Sequence, residues 1–302
     1  MRSIQQKFAD YLWMSTLRKH RSRLGWRHAP RYTRYWRSAQ KVLPDVDALT
    51  RERAETFQDK GWNSFSDPEC HRLALSMLEK IKTEEATDHD TFDASGAYQK
   101  GDIYQTFPEV RAFFDGPAGD FLRAAFDSDF KIFFGKCYKS VHNPDGPAGS
   151  QQWHADGGPG TCVKLMWCLS SVTEENGAME CLDWSDSLRI FEQERATGTG
   201  IKASVTTKNN IEKRQVKTDF FNEAIAKSQI SINQPTADEG MVLAFLNNTI
   251  HRGGFPEEGH ERYVCIFAVY PSAVPTPFSS YMENGIAKGI NYPADPAFGD
   301  GN

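Results

Sequence analysis

The pattern of apolar and polar positions changes character near residue 130. Before it, the periodicity is helical. Asp67-Pro68 opens a helix with proline in the first turn, and Leu73, Leu75, Leu78 and Ile81 follow at near-helical spacing. Arg72, Glu79, Lys80 and Lys82 occupy the opposite side. A second helix is predicted over Pro108 to Phe114 and a third over Ala118 to Phe126, split by Gly116-Pro117. Leu43 to Ala54 shows no such pattern and reads as a connection into the main body.

After residue 130 the apolar runs are short and separated by turn residues. Lys131 to Tyr138, Val163 to Leu169, Ala178 to Leu182, Met241 to Leu246 and Val264 to Tyr270 are strand candidates. Asn143-Pro-Asp-Gly-Pro147 is dense turn chemistry. These strands do not alternate with helices, which excludes a doubly wound parallel sheet and favours an antiparallel sandwich or barrel. The fold class is therefore mainly β with flanking helices. The charged stretch from about 185 to 235 reads as an insertion between strands and a candidate lid, with Asp219 to Ser228 helical inside it. Pro271 to Asn302 is expected to be an irregular tail.

Composition adds little until charge is mapped along the chain. With 39% hydrophobic and 25% charged residues, the 302-residue chain suits a globular domain with a sizeable core. No uncharged apolar run approaches the ~18 residues of a membrane span, so a soluble, cytoplasmic protein is the default expectation. The six cysteines are scattered without a CxxC pair and read as reduced, core-forming thiols. The net charge of −5 hides an asymmetry: residues 1–37 hold ten Lys or Arg against the single acid Asp10, so this arm is +9 and the remainder −14. Interleaved with Trp13, Trp26, Tyr32, Tyr35 and Trp36, a basic arm over residues 1–40 could contact an anionic membrane surface, serve as an organelle-targeting segment, or pack its aromatics on the body. No specific nucleic-acid partner is expected.

Two of the eight histidines have neighbours suited to metal chemistry. In Gln151-Gln-Trp-His154-Ala-Asp156-Gly-Gly, an extended backbone puts His154 and Asp156 on one face. In the second, the apolar run from Met241 to Leu246 delivers His251 into a glycine-rich turn. Together they form a two-histidine, one-carboxylate set, the arrangement used by non-haem iron(II) oxygenases. Taken singly, either histidine could equally be a hydrogen-bonded structural residue. Arg262 is the third feature. It opens the last apolar strand eleven residues after His251, and from a pocket beside a metal it would pair with the far carboxylate of a chelating dicarboxylate. Trp153, Trp167, Trp184 and Phe245 could wall such a pocket or serve as ordinary core aromatics, and Lys136, Lys139 and Arg252 could meet an anionic substrate or simply be solvated on the surface.

The stretch from about 130 to 272 resembles the Fe(II)/2-oxoglutarate-dependent oxygenases, most closely the phytanoyl-CoA dioxygenase-like branch. The resembling pieces are Gln152-Trp-His154-Ala-Asp156, Asn176-Gly-Ala-Met-Glu180, and Gly240-Met-Val-Leu-Ala-Phe245 leading to His251 and Arg262. The resemblance implies one domain over residues 41–302, a double-stranded β-helix (jelly roll, cupin-like barrel). It also implies an enzyme that consumes O2 and 2-oxoglutarate and hydroxylates a small-molecule or lipid-like substrate. His154, Asp156 and His251 would hold Fe(II), and Arg262 the distal carboxylate of 2-oxoglutarate. Such proteins commonly carry Ser or Thr two residues after the arginine. Val264 stands there instead, leaving Thr249 and Tyr138 as candidate second partners for that carboxylate. The rival readings are a cupin-like metal enzyme that does not use 2-oxoglutarate, and a non-catalytic binding protein acting through its basic arm.

Overall fold

In the core strands, odd and even positions are buried against different partners, and that division sets the architecture. The computed structural model describes residues 45–155, 162–197, 221–247, 249–272, 282–283 and 286–287. The basic arm, Asp156 and the middle of the insertion lie outside the described residues. Helix α1 (Ala48–Lys60) precedes the first strand, and α2 (Pro68–Thr87), α3 (Ile103–Thr106), α4 (Pro108–Asp115) and α5 (Pro117–Phe126) lie between the first and second strands. The strands are β1 (Trp62–Phe65), β2 (Asp129–Val141), β3 (Val163–Cys168), β4 (Glu180–Cys181), β5 (Val242–Leu246), β6 (His251–Arg252), β7 (Glu261–Ser272), β8 (Met282–Glu283) and β9 (Ile286–Ala287). Helix α6 (Trp184–Thr197) follows β4, and residues 221–228 are also helical.

Seven strands form one sheet in the order β1-β5-β3-β7-β2-β9-β8, and β4 and β6 form a second; every pairing is antiparallel. On the large sheet, Leu165, Trp167, Val242, Ala244, Cys265 and Phe267 face the helices. Phe113 of α4 stacks on Trp167 with ring centroids 4.3 Å apart. The intervening residues Met166, Cys168, Leu243, Phe245 and Val264 face the other way and join Cys181 of the second sheet and Ala178 and Met179 just before it. Two sheets enclosing an apolar interior, with helices on one outer face, make this a jelly roll. Strands buried on both faces explain why runs such as Val-Leu-Ala-Phe-Leu are continuously apolar rather than alternating.

Helix α1 corrects the expectation of a connection over 43–54. Only Thr50, Ala54 and Phe57 of it are buried, so it lacks an apolar stripe, but it is well capped. The Asp47 side chain accepts from Thr50 N–H at 2.8 Å, and Gly61, at φ 79°, closes the other end onto Phe57 O. Helix α2 starts as expected, with Asp67 accepting from Glu69 N–H. Its buried face is Cys70, Leu73, Ala74, Met77 and Ile81, and Leu75 is exposed. The tail is not wholly irregular, since β8 and β9 pair with each other and β9 pairs with β2 at Phe134. Among the described residues no helix is long and apolar enough to cross a membrane, and all six cysteines are buried and free of disulfides.

Candidate metal and dicarboxylate site

His251 is delivered by a tight return from β5. Thr249 N–H donates to Leu246 O at 3.0 Å, and the buried Ser187 hydroxyl accepts from Ile250 N–H. His251 then pairs with Cys181 of β4 and, on its other edge, with His154, each backbone N–H donating to the other's carbonyl at 2.9 Å. The two imidazoles meet at 4.3 Å between centroids, tilted by 56°. The ring of Phe245 lies 4.6 Å from that of His251, which ties the pair to the barrel interior.

Both rings are held in the same way. His154 Nδ1 lies 2.7 Å from Gln152 O, and His251 Nδ1 lies 2.7 Å from Thr249 O, each the carbonyl two residues back. A carbonyl can only accept, so Nδ1 carries the proton in both rings and the Nε2 lone pair is the one presented outward. Metal-binding histidines are commonly oriented by this kind of carbonyl contact. Both side chains are buried.

Alternation sends the flanking residues to the opposite face. Trp153, Ala155 and Ile250 are buried in a cluster with Leu182, Ile190, Phe221, Ala224 and Ile225. The described parts of the insertion therefore pack behind the histidine strands, on the face away from the imidazoles. Arg252 stacks on the Trp153 ring at 4.8 Å and pairs with Glu180 at 2.6 Å, bracing β6 to β4.

Arg262 sits at the deep end of the interior. It is 5% exposed, its Nη1 donates to Gly177 O, and its Nε has no hydrogen-bond partner. Burial lowers its pKa from the usual arginine value, and no carboxylate pairs with it among the described residues. The acceptor, Gly177, lies four residues before Cys181, the residue opposite His251. Gly177 closes a turn at φ 85°, so Arg262 is anchored to the loop that leads into β4 rather than to the strand itself. The chain approaches itself closely here: a Cβ on Gly254 would lie 2.1 Å from Ala178 O, so only glycine fits. The sequence alone did not identify this Gly177 carbonyl as the arginine's partner, and nothing in a glycine's identity announces such a role.

Tyr138 lies on β2 opposite Val264 and packs half-buried against the interior cluster, where burial raises its pKa. Thr249 is fully buried, but its hydroxyl is directed at Gly61 O, 3.5 Å away, toward the α1–β1 turn. Its carbonyl is the part that reaches His251. Of the readings open for the tryptophans and the basic residues, the structural one holds for most of them. Trp167 and Trp184 face the helices and Trp153 faces the insertion, so only Phe245 of that group lies beside the histidines. Lys139 pairs with Glu85 and Glu261, and Arg252 with Glu180. Asp156 lies outside the described residues, and among those described no group of three or more His, Cys, Asp or Glu is placed to hold a metal.

No family model and no curated protein matches the sequence. Solved structures match the fold. EctD from S. alaskensis, in a structure with 2-oxoglutarate and 5-hydroxyectoine, aligns with a TM-score of 0.53 at 15% identity, covering 80% of this chain and 84% of that one. The non-heme alpha-ketoglutarate-dependent epimerase SnoN from nogalamycin biosynthesis aligns at 0.51 and 12%, covering 74% and 84%. HygX from Streptomyces hygroscopicus, with nickel and 2-oxoglutarate bound, aligns at 0.50 and 13%, covering 76% and 88%. The chain has the jelly-roll fold of these 2-oxoglutarate-binding structures.

Proposed function

We propose that this protein is an Fe(II)- and 2-oxoglutarate-dependent dioxygenase that hydroxylates a small-molecule substrate. The observation that carries the reading is a buried Arg262 guanidinium with no carboxylate partner among the described residues, bonded to Gly177 on the segment whose Cys181 pairs with His251. A buried cation with a single neutral partner is poorly compensated, at a cost of several kcal/mol. A five-carbon dicarboxylate supplies the missing charge.

The donor set fits a divalent first-row metal: two imidazole Nε2 atoms, with Asp156 completing the face as the His-X-Asp spacing implies. When bound, iron and 2-oxoglutarate supply O2 activation, with one substrate C–H becoming C–OH as 2-oxoglutarate is oxidised to succinate and CO2. The protein's residues do the positioning. Gln152 and Thr249 carbonyls fix the histidine tautomers, Phe245 holds the His251 ring, and Arg262 sets the depth of the dicarboxylate, with Tyr138 the nearer candidate for a second contact. The apolar interior excludes water around these groups.

The motifs around His154 and Asn176 support a place in the phytanoyl-CoA dioxygenase-like branch. They also support one domain over residues 41–302 carrying an insertion at about 185–235. The basic arm offers contact with an anionic membrane surface. Anaerobic titration with Fe(II) and 2-oxoglutarate tests the core of the reading. A weak visible charge-transfer band that requires both components, His154 and His251 is expected. A metal enzyme of the same fold that does not use 2-oxoglutarate would bind Fe(II) without the band.

A further inference from the structure

Asn247 presents a second orphan polar group on the interior face, and the site described above does not use it. Its backbone N–H donates to Cys162 O at 3.0 Å, extending by one rung the β3–β5 ladder that ends at Val163 and Leu246. With the ladder continued, alternation places Asn247 on the face of Leu243 and Phe245 rather than that of Val242, Ala244 and Leu246. Phe245 is the residue whose ring touches His251. Asn247 is two residues further along the strand, on the order of 6–7 Å, and on the side away from Arg262. It is 3% exposed, and its buried Oδ1 has no hydrogen-bond partner.

A buried amide oxygen without a donor costs about 1–3 kcal/mol, and sites built around such groups reject ligands that lack the matching donor. We infer that Asn247 is a specificity-determining residue whose Oδ1 accepts a hydrogen bond from a hydroxyl or N–H group of the substrate, a few bonds from the carbon presented to the metal. The inference deepens the oxygenase reading and rests on it. It narrows the substrate class from lipid-like chains to polar small molecules carrying a donor near the reacting carbon. The order along the barrel accounts for the division of labour: Arg262 at the deep end for the cosubstrate, the histidines between, and Asn247 on the far side for the substrate.

The claim can be tested before any substrate is known. If the amide is left unsatisfied for a ligand, replacing it with an apolar group should stabilise the ligand-free protein. Asn247→Leu and the smaller Asn247→Val are therefore expected to raise Tm by about 2 °C or more. Using both keeps loss of polarity separate from overpacking. A lower Tm in both variants would show that the amide is satisfied within the fold or by a fixed water, and would overturn the inference. Succinate release provides the second arm, with a panel of polyols and amino acids tested against their deoxy and deamino analogues. The wild type should be stimulated by donor-bearing members and not by their analogues, and Asn247→Leu should lose that preference by 10-fold or more. An equal preference in wild type and variant would also overturn it. Failure of the wild type to form the Fe(II)–2-oxoglutarate band would instead remove the oxygenase reading beneath it.

Discussion

His154 and His251 exchange backbone hydrogen bonds at 2.9 Å in both directions and hold their rings 4.3 Å apart, each with Nδ1 against the carbonyl two residues back. Because those partners are main-chain atoms, the ring orientation belongs to the strands themselves. His154→Ala or His251→Ala should abolish Fe(II) binding and lower 2-oxoglutarate turnover by at least about 100-fold, since even orienting residues around metals are worth 10–100-fold. Circular dichroism and Tm of the metal-free variants should stay close to wild type. An unchanged metal affinity would remove these histidines from the site.

Gly254 and Gly253 are adjacent but should respond differently. A Cβ at Gly254 would meet Ala178 O at 2.1 Å and the Gly177 backbone at 2.2 Å, whereas at Gly253 its nearest neighbour is Ser150 O at 3.5 Å. Gly254→Ala should therefore cost about 1–3 kcal/mol or more and weaken 2-oxoglutarate binding, because the displaced carbonyl is the one holding Arg262. Gly253→Ala should be tolerated within about 0.5 kcal/mol. Paired thermal melts and 2-oxoglutarate titrations check both statements.

Acid should weaken the contacts that hold the helical layer. Burial alone would raise Glu109, but hydrogen bonds from Lys80 and Ser76 outweigh it, so its carboxyl is held below the ordinary 4.5. Burial likewise tends to raise Glu85, and hydrogen bonds from Lys139 and Tyr263 overcome it, so its carboxyl is also held below the ordinary value. A carboxyl depressed in the folded state adds stability that is fully present above its unfolded value and is lost as pH falls through the folded one. Tm should accordingly be flat at neutral pH and fall below about pH 4.5, and Glu109→Gln should flatten that decline. A Glu109→Gln profile parallel to wild type would contradict the assignment.

Much of this architecture was legible in the sequence because apolar periodicity reports burial directly. The starts of α2, α4 and α5, and strands β2, β3 and β5, fall where that pattern placed them. Helix α1 was missed because it buries only three residues, and a sparse stripe leaves no periodic signal; the Asp47 and Gly61 caps were the available clue. Trp153, Trp167 and Trp184 were legible as either pocket wall or core, because composition says nothing about which face a ring occupies. Strand alternation turns Trp153 and Trp167 away from the histidines, and Trp184, at the start of α6, packs in the helix-side core. Arg262 was identifiable from its distance to His251, but its carbonyl partner at Gly177 and the orphaned amide of Asn247 emerge only from tertiary register.

Arg262 is where the account is most exposed to test, and titrating 2-oxoglutarate into the Fe(II)-loaded, anaerobic wild type and Arg262→Leu measures its role directly. Removing one partner of a buried charge pair costs about 2–5 kcal/mol, equivalent to a loss of affinity of roughly 30-fold or more. The charge-transfer band should saturate at far higher 2-oxoglutarate in the variant, while Fe(II) affinity is unchanged and the ligand-free protein melts no lower, having lost a poorly compensated cation. Equal 2-oxoglutarate affinity in the two proteins, or no band in the wild type, would contradict it.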